Sequence, residues 1–315
     1  MILVTGASGF VGRSVVKALR TRGKEVRCFI RTPYREKTVA DYHVEMAYGD
    51  ILSLSALKGA MRGVDTVVHL VAIIREKRNE NFDLINRRGT EIVTQAAREE
   101  GIRHFVHMSA NGAQDNPSYP YLHSKWQGEQ AVISSGLTYT IFRPSIQFGD
   151  GDEFINTLAG MIKAFPLVPV VGLGKIRLQP ISVDEVGAMI SLVIDNPRFG
   201  GRTIEIGGPD QLTYNEIIDI IGRTLKVKRL RAHLPVPLMK VLTRIMETVI
   251  PNPPATTSQL EMLALDNVTD IDSVEKLFKV KPRPLEGNIR YIRNMSLLDA
   301  WRIALGFMPK RIRDH

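Results

Sequence analysis

The opening stretch, residues 1–19 "MILVTGASGFVGRSVVKAL", decides how the rest of the chain is read. An apolar run that ends at Thr5 reads as a strand, and an amphipathic run from Val11 to Thr21 reads as a helix. Between them Gly6, Gly9 and Gly12 follow the pattern Gly-x-x-Gly-x-x-Gly. The first glycine permits a tight turn, the second lets backbone approach a pyrophosphate, and the third lets helix and strand pack closely. The helix N-terminus adds amide donors and a positive dipole end. Ser8, Phe10 and Val11 belong to the same turn, so residues 6 and 8–12 are candidate dinucleotide contacts.

Strand-like and helix-like segments alternate onward from this turn. "VRCFIR", "VEMAYGD", "TVVHLVA", "HFVHMSA" and "TYTIFRP" read as further strands, with helical stretches such as Phe82 to Glu100 between them. Such alternation predicts an α/β fold, a doubly wound parallel sheet of Rossmann type over residues 1–145, with ligands at the carboxyl ends of the strands. After Pro144 the rhythm loosens. "RLQPISV" reads as a strand, Asp184 as the N-cap of a helix, and a strand near 203–207 is expected to return to the sheet. Residues 146–294 therefore read as a smaller, partly inserted cap or substrate region. Prolines in "LPVPLMK" and "PNPPATT" bracket an amphipathic stretch at 238–249.

Composition narrows the function classes. The 315 residues are 44% hydrophobic and 24% charged, ordinary for a folded protein. The single cysteine, Cys28, excludes an internal disulfide and a cysteine metal cluster, which favours a reducing compartment. Met1 leads directly into a strand and no run approaches a membrane span, so the expectation is a cytoplasmic protein with no leader. The net charge of +9 is split between residues 1–150 and 288–315, while residues 151–287 hold 16 basic and 16 acidic residues. No dense basic stripe with interleaved aromatics results, and nucleic acid is not an expected partner. His69, His104 and His107 lie in or beside strands without metal-ligand spacing, so no metal site is expected.

The end of the second strand selects the nucleotide. An NAD site usually places a carboxylate there to accept from the ribose 2′-hydroxyl. Here Arg31 holds that place, and arginine suits a 2′-phosphate. NADP(H) is the preferred cofactor, with NAD(H) left open.

Taken in order, the glycine turn, Arg31, "YGD" at 48–50, "HLVA" at 69–72, "INRRGT" at 85–90, "YLHSK" at 121–125 and "FRPSIQFG" at 142–149 resemble the extended and atypical short-chain dehydrogenase/reductases. Within that superfamily "GGPDQLTYNEII", "HLPVPLMK" and "TTSQLEMLALDNV" resemble the NAD(P)H-binding accessory subunit of respiratory complex I and its prokaryotic relatives. The resemblance implies that Asp50 and Ile51 flank the adenine. It also implies that Leu70, Val71 and Ala72 line the path past the ribose, and that Pro144 and Ser145 approach the nicotinamide.

It further implies a catalytic pair, Tyr121 and Lys125, which share one helical face. A lowering of the tyrosine pKa by about 3 units corresponds to roughly 4 kcal/mol, which needs both the nearby ammonium and the positive nicotinamide of the oxidised cofactor. In the family the lysine also binds the nicotinamide ribose. The family's third member is a serine or threonine just beyond the fifth strand. Alignment places Ala110 there, with Ser109 one step before and Asn111 as an alternative donor. Losing one such donor typically costs a factor of about 10² to 10³.

Two functions therefore stand side by side. One is a cofactor-holding accessory protein with weak or no ordinary catalysis; the other is an NADP-dependent oxidoreductase or nucleotide-sugar epimerase acting on a small molecule that the sequence does not name. Residues 295–315 form an amphipathic basic tail, with Leu297, Leu298, Trp301, Ala304, Leu305 and Met308 at helical spacing. It reads either as a helix docked on the protein's own cap or a second copy, or as a contact for a partner protein or a membrane surface. A homodimer is left open.

Overall fold

The computed structural model describes every residue except 78, 250–252, 254 and 314–315. The chain forms two compact units, one of Met1–Pro144 with Val183–Ile206, the other of Ser145–Ser182 with Gly207–His315.

In the first unit strands β1 (Ile2–Thr5), β2 (Val26–Ile30), β3 (Glu45–Tyr48), β4 (Thr66–His69), β5 (His104–Met108) and β6 (Tyr139–Pro144) join the strand Arg202–Ile206 in a seven-stranded sheet. Helices α1 (Phe10–Thr21), α2 (Leu54–Met61), α3 (Gly89–Glu99) and α4 (Pro120–Ile133) supply crossovers. All pairings are parallel, in the order Arg202–Ile206, β6, β5, β4, β1, β2, β3. The chain steps outward from β1 to β3, then returns to place β4 on the other side of β1. The crevice beyond Thr5 and His69 is thus the topological switch point, where such sheets bind ligands.

Burial on both faces explains the apolar strands. On one face Leu3, Val67, Phe105 and Ile141 pack with Val93, Ala96 and Ala97 of α3. Among the helices, Val15, Val16 and Leu19 of α1 are fully buried. The helix Val183–Val193 packs on α1, and the Ser14 hydroxyl donates to the Val183 carbonyl at 2.9 Å. A Cβ on Gly187 would lie 2.7 Å from the Ser14 carbonyl oxygen, so only glycine allows this approach. Asp184 falls in the first turn of that helix rather than at its cap, since the helix begins one residue earlier. Its charge still faces the positive end of the helix dipole. Cys28 is fully buried in β2, and burial pushes its thiol up to about 12.

The expected single helix over 82–100 is divided. Asp83–Arg88 forms a wider π-helical turn, and α3 follows from Gly89.

In the second unit the helices Phe154–Ala164 and Tyr214–Leu225 enclose a core that includes Ile155, Leu158, Ile217 and Ile221. The strand Leu167–Val171 pairs in parallel with Leu230–Leu234. The "RLQPISV" stretch is two short strands, Arg177–Leu178 and Ile181–Ser182, parted at Gln179. That fully buried side chain donates to the Gly208 carbonyl and accepts from the Thr269 amide, both at 2.8 Å. The stretch at 238–249 lies in a helix, Val236–Val249, which buries Met239 and Thr243 and exposes Leu238, Val241, Leu242, Ile245 and Val249. Part of its proline-rich stop lies outside the described residues.

Residues 297–304 dock on this unit, the first of the two readings given for them. Ala300 and Ile303 enter its core, Ile303 fills the space over Gly160, and Trp301 meets Phe165 edge-on at 5.0 Å. The face expected to carry the contacts is divided, because Leu297, Leu298, Trp301 and Leu305 are exposed while Ala304 is buried. Among the described residues no helix is long and apolar enough to cross a membrane.

Candidate functional site

The site begins where β1 ends. Gly6 adopts φ +74°, and a Cβ there would sit 3.2 Å from the backbone of Leu70 and Val71, so the turn passes close to the end of β4. The Gly9 amide donates to the Gly6 carbonyl at 3.0 Å and α1 starts at Phe10. A Cβ on Gly12 would fall 2.1 Å from the Gly6 carbonyl oxygen and 2.6 Å from that of Ala7. The N-terminal turn of α1 carries no acidic residue, and Gly9 offers its amides no side-chain acceptor. Ser8, Phe10 and Val11 are partly exposed there. Free amides and a positive dipole end with no competing carboxylate fit a pyrophosphate.

At the adenosine end Arg31 is exposed, but its guanidinium is engaged: Nη1 donates to Glu80 Oε1 at 2.6 Å. Glu80 lies in the loop after β4, and no local signal in the sequence marks it. Asp50 uses Oδ1 to accept from the Leu52 amide at 2.9 Å, a turn-stabilising bond. The Ile51 side chain is buried. It lies in the sheet core against Gly89, where an added Cβ would meet its Cδ1 at 2.6 Å. Leu70 and Val71 are half-buried and Ala72 is exposed.

The other end lies where β5 gives way to the loop before α4. Lys125 is fully buried, and its Nζ donates to the Met108 carbonyl at 2.7 Å. Beneath it the rings of His69 and His107 stack at 5.5 Å. His69 is held by Thr5 Oγ1 at 2.7 Å and Thr90 Oγ1 at 3.2 Å, whereas neither ring nitrogen of His107 has a hydrogen-bond partner among the described residues. Burial, then the Lys125 charge, lowers His69 to about 3 and carries His107 well below the usual range, so both are neutral. Burial also lowers Lys125 to about 8, partly offset by Glu129.

Tyr121 is half-buried with its ring edge-on to Phe82 at 5.7 Å. Burial pushes its phenol up to about 12. In the chain by itself desolvation sets the phenol, and the Lys125 ammonium is directed at a backbone carbonyl.

Ser109 is buried, and its hydroxyl has no partner among the described residues. The Asn111 amide donates to the carbonyl of buried Pro144 at 2.9 Å, tying the ends of β5 and β6 together. Ser145 opens the second unit, where its hydroxyl donates to Asn267 at 2.6–2.8 Å and accepts from the Gln179 amide at 3.3 Å. A polar network inside that unit thus occupies it.

Asn86, in the π-helical turn, is a structural organiser that sequence reasoning did not single out. Its amide exchanges bonds with the Ile73 backbone at 2.9 and 3.1 Å and donates to Ser124 at 3.1 Å, joining the loop after β4 to α4.

Residues 2–207 match the sequence profile of the NAD dependent epimerase/dehydratase family. The chain belongs to this family. Its NAD(P)-binding fold is that of the short-chain dehydrogenase/reductases, and the family likeness extends to proteins of differing description. One is the mitochondrial NADH dehydrogenase [ubiquinone] 1 alpha subcomplex subunit 9 of Mus musculus, 31% identical over 301 residues, covering 90% of this chain and 77% of that protein. Another is a ceramide reductase of Caulobacter vibrioides, 28% identical, covering 75% of this chain and 74% of that one. Among solved structures, an NADPH-dependent quinone oxidoreductase from Escherichia coli, complexed with NADPH, superimposes with a TM-score of 0.76. It has 16% identity and covers 93% of this chain and 100% of that one, a likeness of fold. Among the described residues no cluster of ligating side chains fits a metal ion.

Proposed function

We propose that this chain is an NADP(H)-holding protein of the accessory-subunit type, in which ordinary hydride chemistry is slow or absent. The carrying observation is the state of the proton-transfer pair, a phenol pushed up to about 12 by burial and a lysine fixed on the Met108 carbonyl. A phenol held in its protonated form this firmly is poorly matched to proton exchange at neutral pH. Without a hydroxyl at Ala110 to polarise a carbonyl, no side chain at that position offsets the deficit. The likeness to the complex I subunit favours the same reading.

The bound cofactor would supply or accept a hydride. The chain's own part is to hold it. Amides of residues 8 and 10–12 would hold the pyrophosphate, Arg31 the 2′-phosphate, and the two donors of Lys125 not used by Met108 the nicotinamide ribose. A nucleotide held in this way stabilises the fold by about 2.7 kcal/mol at 100 times its Kd.

One observation favours a second reading. The buried, unpartnered hydroxyl of Ser109 sits beside Ala110. A turn of the backbone around a substrate would make it the missing donor, and the protein an oxidoreductase using Tyr121.

The test is single-turnover absorbance of the NADPH-loaded protein against carbonyls, quinones and nucleotide sugars, with Tyr121→Phe in parallel. We expect bound NADPH to raise the Tm while its absorbance decays equally slowly in both proteins. Oxidation abolished by the substitution would instead establish the second reading.

A further inference from the structure

The Arg31–Glu80 contact bears on nucleotide choice. Arg31 follows β2 directly, at the position that faces the adenosine ribose in this fold. Glu80 arrives from the loop after β4. Lys77 and Glu80 exchange amide–carbonyl bonds at 2.8 and 3.0 Å, and the Glu76 carboxylate accepts from the Phe82 amide at 2.9 Å. The Glu80 side chain is also the less exposed member of the pair, 24% against 60% for Arg31. A carboxylate held in this way stands where a 2′-phosphate would arrive, and bonds to the guanidinium that the phosphate requires.

We propose that Glu80 is a specificity-determining residue that sets the balance between NADP(H) and NAD(H). This rests on the reading above that Arg31 receives the 2′-phosphate. A phosphate carries nearly two negative charges and three acceptor oxygens. It takes Arg31 from the single carboxylate and repels Glu80 from the site. A cofactor with a 2′-hydroxyl leaves the ion pair intact. Glu80 therefore weakens NADP(H) selectively, and the pair narrows the discrimination that Arg31 alone would give.

Equilibrium titrations of NADPH and NADH into the wild-type chain, Glu80→Gln and Arg31→Gln test this. An exposed ion pair contributes about 0.2–1 kcal/mol. Its removal should tighten NADPH up to about fivefold, with NADH changed by less than its own error. The gain should shrink at high salt. Arg31→Gln should erase the preference for NADPH. The ratio of the two affinities within one variant cancels any general effect on folding.

An NADPH affinity that is unchanged or weaker in Glu80→Gln, while Arg31→Gln still erases the preference, overturns the role of Glu80 and leaves Arg31 in place. A wild-type ratio in Arg31→Gln removes the assignment of Arg31, and the inference with it.

Discussion

The two ends of the nucleotide crevice are built on different principles. At the glycine turn the groups on offer are backbone amides, set by positions where a Cβ has no space. Beyond β5 the candidate chemistry depends on side chains whose charge is set by surroundings. The first arrangement either has its geometry or lacks it. The second can keep every residue of a motif and lose the function, because Tyr121 and Lys125 retain their spacing while burial moves the phenol up and the lysine down. Cofactor binding and catalysis are separable in such a site, and binding is the more legible of the two.

The contrast can be broken most severely at Gly12. Gly12→Val places carbon within 2.1 Å of the Gly6 carbonyl oxygen, so α1 must shift. Overpacking of this kind costs about 1–3 kcal/mol or more. We expect loss of measurable NADPH binding by calorimetry and a lowered Tm. Retained affinity would mean that the turn does not hold the nucleotide.

At the other end, Lys125→Met isolates the buried charge. The folded pKa, about 8, lies below the unfolded value near 10.4, so the unfolded chain binds more protons between those limits. Wild-type stability from this group is lowest below about pH 8 and rises toward pH 10. The Met variant lacks that rise, a difference of about 1–3 kcal/mol in urea denaturation compared at pH 7 and 10. Parallel pH profiles would show that Lys125 is not desolvated.

The smallest effect belongs to Tyr121→Phe. Among the described residues its hydroxyl makes no structural bond comparable to that of Lys125, so the unfolding free energy should change by less than about 1 kcal/mol. NADPH affinity should move less than threefold by fluorescence titration, a span of about 0.7 kcal/mol. A larger loss of affinity would place the phenol on the cofactor.

The sheet was readable because its central strands are apolar on both faces and bounded by turn residues, and the glycine turn because its constraint is local. Other features depended on contacts across long separations. Glu80 meets Arg31 over 49 residues, in a loop whose sequence has no pattern. Lys125 reaches back 17 residues to a carbonyl, which residue spacing cannot reveal. The inward turn of the Ile51 side chain was not legible either, because a residue beside a binding motif can direct its side chain into the core. The helix at 297–304 is apolar on two sides, so periodicity found the helix but not which side faces inward.

One feature of the architecture concerns the order in which the chain is made. The sheet's strand Arg202–Ile206 pairs with β6, yet residues 145–182 of the other unit are synthesised between them. At about 5–20 residues per second, the newly made β6 waits roughly 3–12 s for its neighbour. Throughout that interval Thr140 to Pro144 form an open edge, the kind of surface that invites pairing with foreign strands. The nascent chain is therefore most vulnerable on the ribosome, before residue 206 has emerged, and a fragment ending at residue 144 would remain in that state.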